Sequence, residues 1–169
     1  MTHAPVTIIT GSSRGIGRAT AELLAERGHR VVISSRNQEG CEAVAQAIRE
    51  AGGEAIALAC HVGKEAERAA LIENTVAAFG RLDQLVLNAA SNPVYGDSDN
   101  VDQKAFDVIM HNNVLGSMRL AHLARPRIRE AGGGAIVLVS SIAGQLGNRV
   151  IGAYGISKAA ENQLVRNLA

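Results

Sequence analysis

The 169-residue chain balances 17 Lys+Arg against 16 Asp+Glu, a net charge of +1 that argues against a dedicated nucleic-acid or acidic-membrane surface. No apolar run approaches membrane-spanning length and no basic-then-apolar signal pattern opens the chain, so no membrane partner is expected. Two cysteines make no disulfide framework and the five histidines are scattered, which predicts one domain over residues 1–169 in a reducing cytoplasm with no metal site.

Aromatic residues make up only 2% of the chain, so the core must come from Val, Ile, Leu and Ala. Val6-Thr7-Ile8-Ile9 reads as a short β-branched strand. It runs into Thr10-Gly11-Ser12-Ser13-Arg14-Gly15-Ile16-Gly17, and Arg18 to Arg27 then reads as a helix. Strand, glycine-rich turn and helix in this order form the setting of a dinucleotide fingerprint. Gly11, Gly15 and Gly17 let the backbone approach a pyrophosphate, and the helix N-terminus offers it unpaired N–H groups.

Val31-Val32-Ile33 reads as a second strand, Glu39 to Ala51 as a helix, and Ala55 to Cys60 as a buried third strand. Lys64 to Phe79 is helical, and Gln84 to Leu87 is strand four. A polar loop covers Ser91 to Asn100. Val101 to Glu130 contains a long helix that Pro126 is expected to bend or end. Ala135 to Val139 is an unbroken apolar run, the pattern of a fifth strand buried on both faces. The last helix runs from near Gly152 to Ala169. This rhythm predicts an α/β, doubly wound parallel sheet in the order 3-2-1-4-5, with a nucleotide at the carboxyl ends near the switch between strands 1 and 4. The glycine turn, Arg36, Asn88 and Ser141 all follow carboxyl ends of predicted strands.

Tyr154 and Lys158 stand one helical turn apart on the last helix, so they share a face. A free phenol has a pKa of about 10, and a fixed cation beside it favours the phenolate. The pair is therefore suited to general acid–base work on carbonyls and alcohols. Ser140 and Ser141 both end strand five and are equal local candidates for a hydrogen-bonding partner. Asn113 reads as a polar residue inside a helix and facing a loop, and Asn112 beside it is the competing assignment.

Taken together, these segments resemble the short-chain dehydrogenase/reductase family along essentially the whole chain from Val6. The turn has that family's Thr-Gly-x-x-x-Gly-x-Gly spacing, and Asn88-Ala89-Ala90 is similar to its Asn-Ala-Gly segment. Cys60-His61-Val62-Gly63-Lys64 and Asn88 to Pro93 look like a carbonyl-reductase branch. The resemblance implies a Rossmann-type fold and a catalytic set of Asn113, Ser141, Tyr154 and Lys158. It selects Ser141 over Ser140, gives Lys158 a hold on the nicotinamide ribose, and gives Asn113 a water that relays protons from Lys158. It also implies further strands after the last helix. Their absence here predicts strand five as an open edge, with weak binding and little turnover if the polypeptide ends at Ala169.

The expected cofactor site comprises Gly11, Ser13, Arg14, Gly15, Ile16, Gly17, Ser35, Arg36, His61, Val62, Asn88, Ala89 and Ala90, with Tyr154 and Lys158 at the nicotinamide end. A carboxylate after strand two would bind a ribose 2′-hydroxyl, but Ser34-Ser35-Arg36-Asn37 has none. Arg36 and Arg14 are suited to a 2′-phosphate, which favours NADP(H) over NAD(H). The predicted activity is reduction of a small-molecule carbonyl, or oxidation of the alcohol; a nucleotide-sensing module or an impaired fragment are the alternatives. Tyr95 and Leu146 suggest an apolar substrate contact. Lys104 to Arg125 and the final helix are the expected surfaces of a homo-oligomer, with Met110, Val114, Leu115 and Met118 as apolar positions.

Overall fold

The computed structural model describes residues 3–169. Its elements alternate as β1 Val6–Thr10, α1 Gly15–Glu26, β2 Arg30–Ser34, α2 Gln38–Glu50, β3 Glu54–Ala57, α3 Glu65–Phe79, β4 Gln84–Leu87, α4 Gln103–Ile109, α5 Gly116–Glu130, β5 Ala135–Leu138 and α6 Gly152–Leu168. The strands pair in parallel in the order 3-2-1-4-5, which is the doubly wound sheet expected. The order reverses between β1 and β4, and this opens a crevice at their carboxyl ends.

Helices cover both faces because successive strand residues point opposite ways. Ile8 and Ile9 are each 0% exposed yet enter different cores. Ile8 packs with Leu71, Leu85 and Leu120 on the α3–α5 side, and Ile9 with Ala21, Val44 and Ile48 on the α1–α2 side. Each such side chain contributes about 1.5–3 kcal/mol on leaving water. The Asn37 side chain accepts the Gly40 N–H at 2.7 Å and starts α2, and Asp102 caps α4 through the Ala105 N–H at 2.7 Å. At the opposite end of the sheet, buried Asp83 accepts the Val6 N–H at 2.8 Å and the Arg81 Nε–H at 2.9 Å, locking β1 to β4.

Four sequence expectations are corrected. Helix α1 begins inside the glycine segment at Gly15, not at Arg18. Strand β3 stops at Ala57, although the Leu58 and Cys60 N–H groups still bond to Ile33 and Ser35 carbonyls. Pro126 does not end its helix, since α5 continues to Glu130; the His122 carbonyl it deprives of a donor belongs to an exposed residue, where water can serve it. The irregularity falls earlier, where Met110–Leu115 adopts π-helical geometry. Finally, β5 is the sheet edge, as the open-edge expectation had it, and not the strand buried on both faces that its apolar run suggested. Val137 is 53% exposed, while Ile136 and Leu138 pack inward.

Candidate active site

Backbone demands shape the glycine turn. Gly11 and Gly15 take positive φ of 66° and 58°, a region costly for residues with a Cβ. Gly17 is helical, but a Cβ there would lie 2.5 Å from the Gly11 carbonyl oxygen and 2.6 Å from Asn88 Nδ2. Asn88 donates to the Thr10 and Gly11 carbonyls at 2.9 and 3.2 Å, so its amide holds the turn in shape. Thr10 Oγ1 donates to the Val86 carbonyl and accepts the Asn88 and Ala89 N–H groups at 3.0 and 3.1 Å. Helix α1 starts from Arg14 with no side-chain cap and no acid in its first turn. Its first N–H groups are thus available to an anion.

A cleft of about 620 Å³ opens above this turn. It is lined by Gly11, Ser13, Arg14, Gly15, Ile16, Ser35, Arg36, His61, Val62, Asn88, Ala89 and Ala90, as expected, and additionally by Asn37, Gly40, Cys60, Ser91 and Asn112. Gly17 lies beneath it. Among the described residues, no carboxylate lines the cleft. Among the described residues, neither Arg14 nor Arg36 is held in an ion pair. His61 Nδ1 accepts the Gly63 N–H at 3.0 Å, which leaves the ring proton on Nε2. Burial, helped by the charge of Glu67 and opposed by Arg68, pushes the Cys60 thiol up to about 11, so it is not a nucleophile at neutral pH.

Tyr154, Ser141 and Lys158 come together outside the lining of this cleft, and Asn113 lies between Ser91 and α6. The Lys158 ammonium stands 5.5 Å from the centre of the Tyr154 ring. Ser141 accepts the Ala143 N–H at 3.2 Å and starts a short 3₁₀ turn that aims it at the phenol. Ser140 instead donates to the Lys158 carbonyl at 3.5 Å, tying β5 to α6. Asn113 is fully buried in the π-helical stretch, a feature frequent at functional sites. Its Nδ2 donates to Ser91 O and to Ser157 Oγ, both at 3.0 Å, while Oδ1 accepts the Ser91 N–H at 2.7 Å. Asn112 bonds only the Ser91 hydroxyl, at 3.1 Å, and faces the cleft. Ser91 therefore links the cleft to α6 through Asn113.

Both amide hydrogens of Asn113 go to protein oxygens, so its side chain ties Ser91 to Ser157 of α6. The Lys158 ammonium donates to the Val139 carbonyl at 3.0 Å and pairs with Glu161 at 2.6 Å. Tyr154, against expectation, does not become more acidic. Burial and then the negative charge of Glu161 raise its pKa above the ordinary value, while the Ser141 hydroxyl pulls it down and Tyr95 adds a smaller upward push. Sequence reasoning missed Glu161 and Ser157, and named Thr10 and Ser91 within their segments without these bonds. Glu161 was findable, since it lies three residues after Lys158 on the same helix face.

The loops expected to flank a substrate meet over this group. The Gly96 N–H bonds the Val150 carbonyl at 2.8 Å, and Arg149 pairs with Asp97 at 3.3 Å. Tyr95, Leu146 and Val150 remain exposed.

A family model described as short chain dehydrogenase matches residues 5–169. Dehydrogenase/reductase SDR family member 4 of Sus scrofa is 35% identical over 164 residues, which make up 97% of this chain and 59% of that protein. An oxidoreductase of Thermotoga maritima is 40% identical over 164 residues, again 97% of this chain and 64% of the relative. Among solved structures, a 7α-hydroxysteroid dehydrogenase complexed with NADH and 7-oxo glycochenodeoxycholic acid matches with a TM-score of 0.93 at 33% identity, over 98% of this chain and 64% of that one. A 3-ketoacyl-ACP reductase from Sinorhizobium meliloti gives a TM-score of 0.94 at 40% identity, with 98% and 66% covered. The chain thus spans less than two thirds of the length of each of these relatives. With the glycine turn, the sheet order and the family match agreeing from residue 5 to residue 169, this chain belongs to the short-chain dehydrogenase family.

Proposed function

We propose that this chain forms the nucleotide-binding and proton-transfer part of an NADP(H)-linked oxidoreductase that interconverts a carbonyl and an alcohol. The observation that carries the reading is the joining of an arginine-bearing cleft to α6, the helix of Tyr154 and Lys158, through Ser91, Asn113 and Ser157. A dinucleotide fits the residues present. Gly11 and Gly17 keep the turn tight enough for a pyrophosphate, and the uncapped start of α1 supplies donors. The hydroxysteroid dehydrogenase neighbour was captured with NADH. The choice of NADP(H) here therefore rests on this chain's own residues. Arg14 and Arg36 offer planar forks to a 2′-phosphate, and His61 Nε2–H adds a donor where a ribose-binding acid would offer an acceptor.

The bound cofactor supplies or accepts the hydride. Tyr154 gives a proton to the substrate oxygen during reduction and takes it back during oxidation. Ser141 hydrogen-bonds the same oxygen and fixes its direction. Lys158 sets the charge beside the phenol, and Asn113 holds the start of α6 in register by bonding Ser157. Exposed Tyr95, Leu146 and Val150 suit a substrate with an apolar side. Val108, Ile156 and Val165 give α4 and α6 an apolar outer surface that a second copy would cover; a homo-oligomer in light scattering is the expected result, and a clean monomer would remove it. The function is tested by a carbonyl panel with NADPH on the whole protein that carries this chain: reduction and its loss in Tyr154→Phe are expected, and equal turnover in the two would refute the acid–base role.

A further inference from the structure

Lys158 and Glu161 are the two largest charged side chains sealed inside α6, at 2% and 1% exposure. Their charged atoms are 2.6 Å apart. Lys158 has a second acceptor in the Val139 carbonyl at 3.0 Å, at the end of β5. Glu161 receives the Ser117 hydroxyl from α5 at 3.4 Å on Oε1, whereas Oε2 meets the ammonium without an aligned hydrogen bond. Burial raises the pKa of the Glu161 carboxyl, against the pull of the Lys158 ammonium and the Ser117 hydroxyl, because an acid buried this deeply is expensive unless it is paired. Nothing in helix formation requires one here, since the neighbouring core positions Ala153 and Leu164 of α6 are apolar.

We propose that Glu161 is a positioning residue of the catalytic helix: its carboxylate holds the Lys158 ammonium against the end of β5 and offsets its charge, so that Tyr154 faces an ion pair instead of a lone cation. This deepens the reading of Tyr154 as the acid–base residue and depends on that reading for its functional meaning. Three titratable groups face Tyr154: Lys158 and Glu161 from its own helix, and Tyr95 from the loop after β4. Ser141 is its uncharged polar neighbour, and Ser117 and the Val139 carbonyl complete the surroundings of the pair. A cation alone stabilises a phenolate; an adjoining carboxylate cancels much of that stabilisation. The direction found for Tyr154, with Glu161 acting upward after burial, agrees with this arrangement. Losing the carboxylate's charge leaves Lys158 still held by Val139 O, and the phenol then meets an unopposed cation.

The chain's composition permits a direct test without turnover. It has two tyrosines and no tryptophan, so a Tyr95→Phe background leaves Tyr154 as the one phenol. Ultraviolet phenolate absorbance is titrated against pH in that background, alone and with Glu161→Gln or Glu161→Asp. The background protein should titrate at or above the ordinary value of about 10, and Glu161→Gln should lower the midpoint by roughly 0.5–1 unit. Glu161→Asp keeps the charge and should stay near the background value. A Glu161→Gln midpoint that is unchanged or higher overturns the proposal, as does an equal drop in Glu161→Asp, which would mean disturbed packing. If Glu161→Gln does not fold by circular dichroism, the background midpoint decides: a value well below 10 means a lone cation and refutes the pairing. Failure of the carbonyl-reduction reading would show separately, as turnover that survives Tyr154→Phe.

Discussion

Ser91 and Asn113 bond each other in both directions, Ser91 N–H to Asn113 Oδ1 at 2.7 Å and Asn113 Nδ2 to Ser91 O at 3.0 Å. The remaining amide hydrogen of Asn113 goes to Ser157, next to Lys158. One buried side chain thus couples the cleft to the helix that carries the proposed acid. Asn113→Ala leaves the Ser91 N–H and C=O without their partner and should cost about 2–4 kcal/mol, since each orphaned buried group costs roughly 1–3. Urea denaturation measures this, and an unchanged midpoint would contradict the coupling.

The glycine turn allows a paired comparison. Gly17→Ala places a methyl within 2.6 Å of Asn88 Nδ2 and of the Gly11 carbonyl, so the turn must open. Gly147→Ala meets nothing within 4 Å and adopts no positive φ. Nucleotide affinity should fall at least about tenfold in the first, equivalent to ~1.4 kcal/mol, and stay unchanged in the second. Calorimetric titration with NADPH checks both.

Arg36 bears on cofactor choice alone. A guanidinium paired with a 2′-phosphate makes charge-assisted bonds that a 2′-hydroxyl cannot replace. Arg36→Ala should weaken NADPH by about 10–100-fold, or ~1.4–2.8 kcal/mol, and leave NADH nearly untouched. Equal losses for both nucleotides would mean that Arg36 contacts something other than the phosphate.

At the far end of the sheet, burial by itself would raise the Asp83 carboxyl. The Arg81 fork, the Val6 N–H and the charges of Arg81 and Arg30 outweigh it and hold the group below its usual pKa. A depressed carboxylate stabilises the fold above the unfolded value of about 3.9, and that stability is lost as pH falls through the folded value. Asp83→Asn should lower stability by about 1–3 kcal/mol at pH 7 and flatten the acid limb. Melting curves from neutral to acid pH test this, and parallel limbs in parent and variant would contradict it.

The sheet order and the cleft were legible because their signals are local. A β-branched run, a glycine turn and a helix stand next to one another in sequence, and strand ends mark where a nucleotide goes. The direction of Lys158 was not legible, because it depends on which acceptors surround the ammonium. Val139 and Glu161 come from different elements, and only the folded chain shows that they meet it. The same holds for Asn113, whose partners lie 22 and 44 residues away. The exposure of Val137 could not be read from an apolar run that looks the same in a central strand and at an edge. Pro126 misled for a simpler reason: the carbonyl it leaves unbonded faces solvent.

The most direct measurement is an equilibrium titration of the purified parent chain with NADPH and NADH side by side at moderate salt. A carboxylate-free cleft bearing Arg14 and Arg36 predicts NADPH binding at least about tenfold tighter, ~1.4 kcal/mol, with the preference shrinking as ionic strength rises. Equal affinities, or a preference for NADH, would contradict the account.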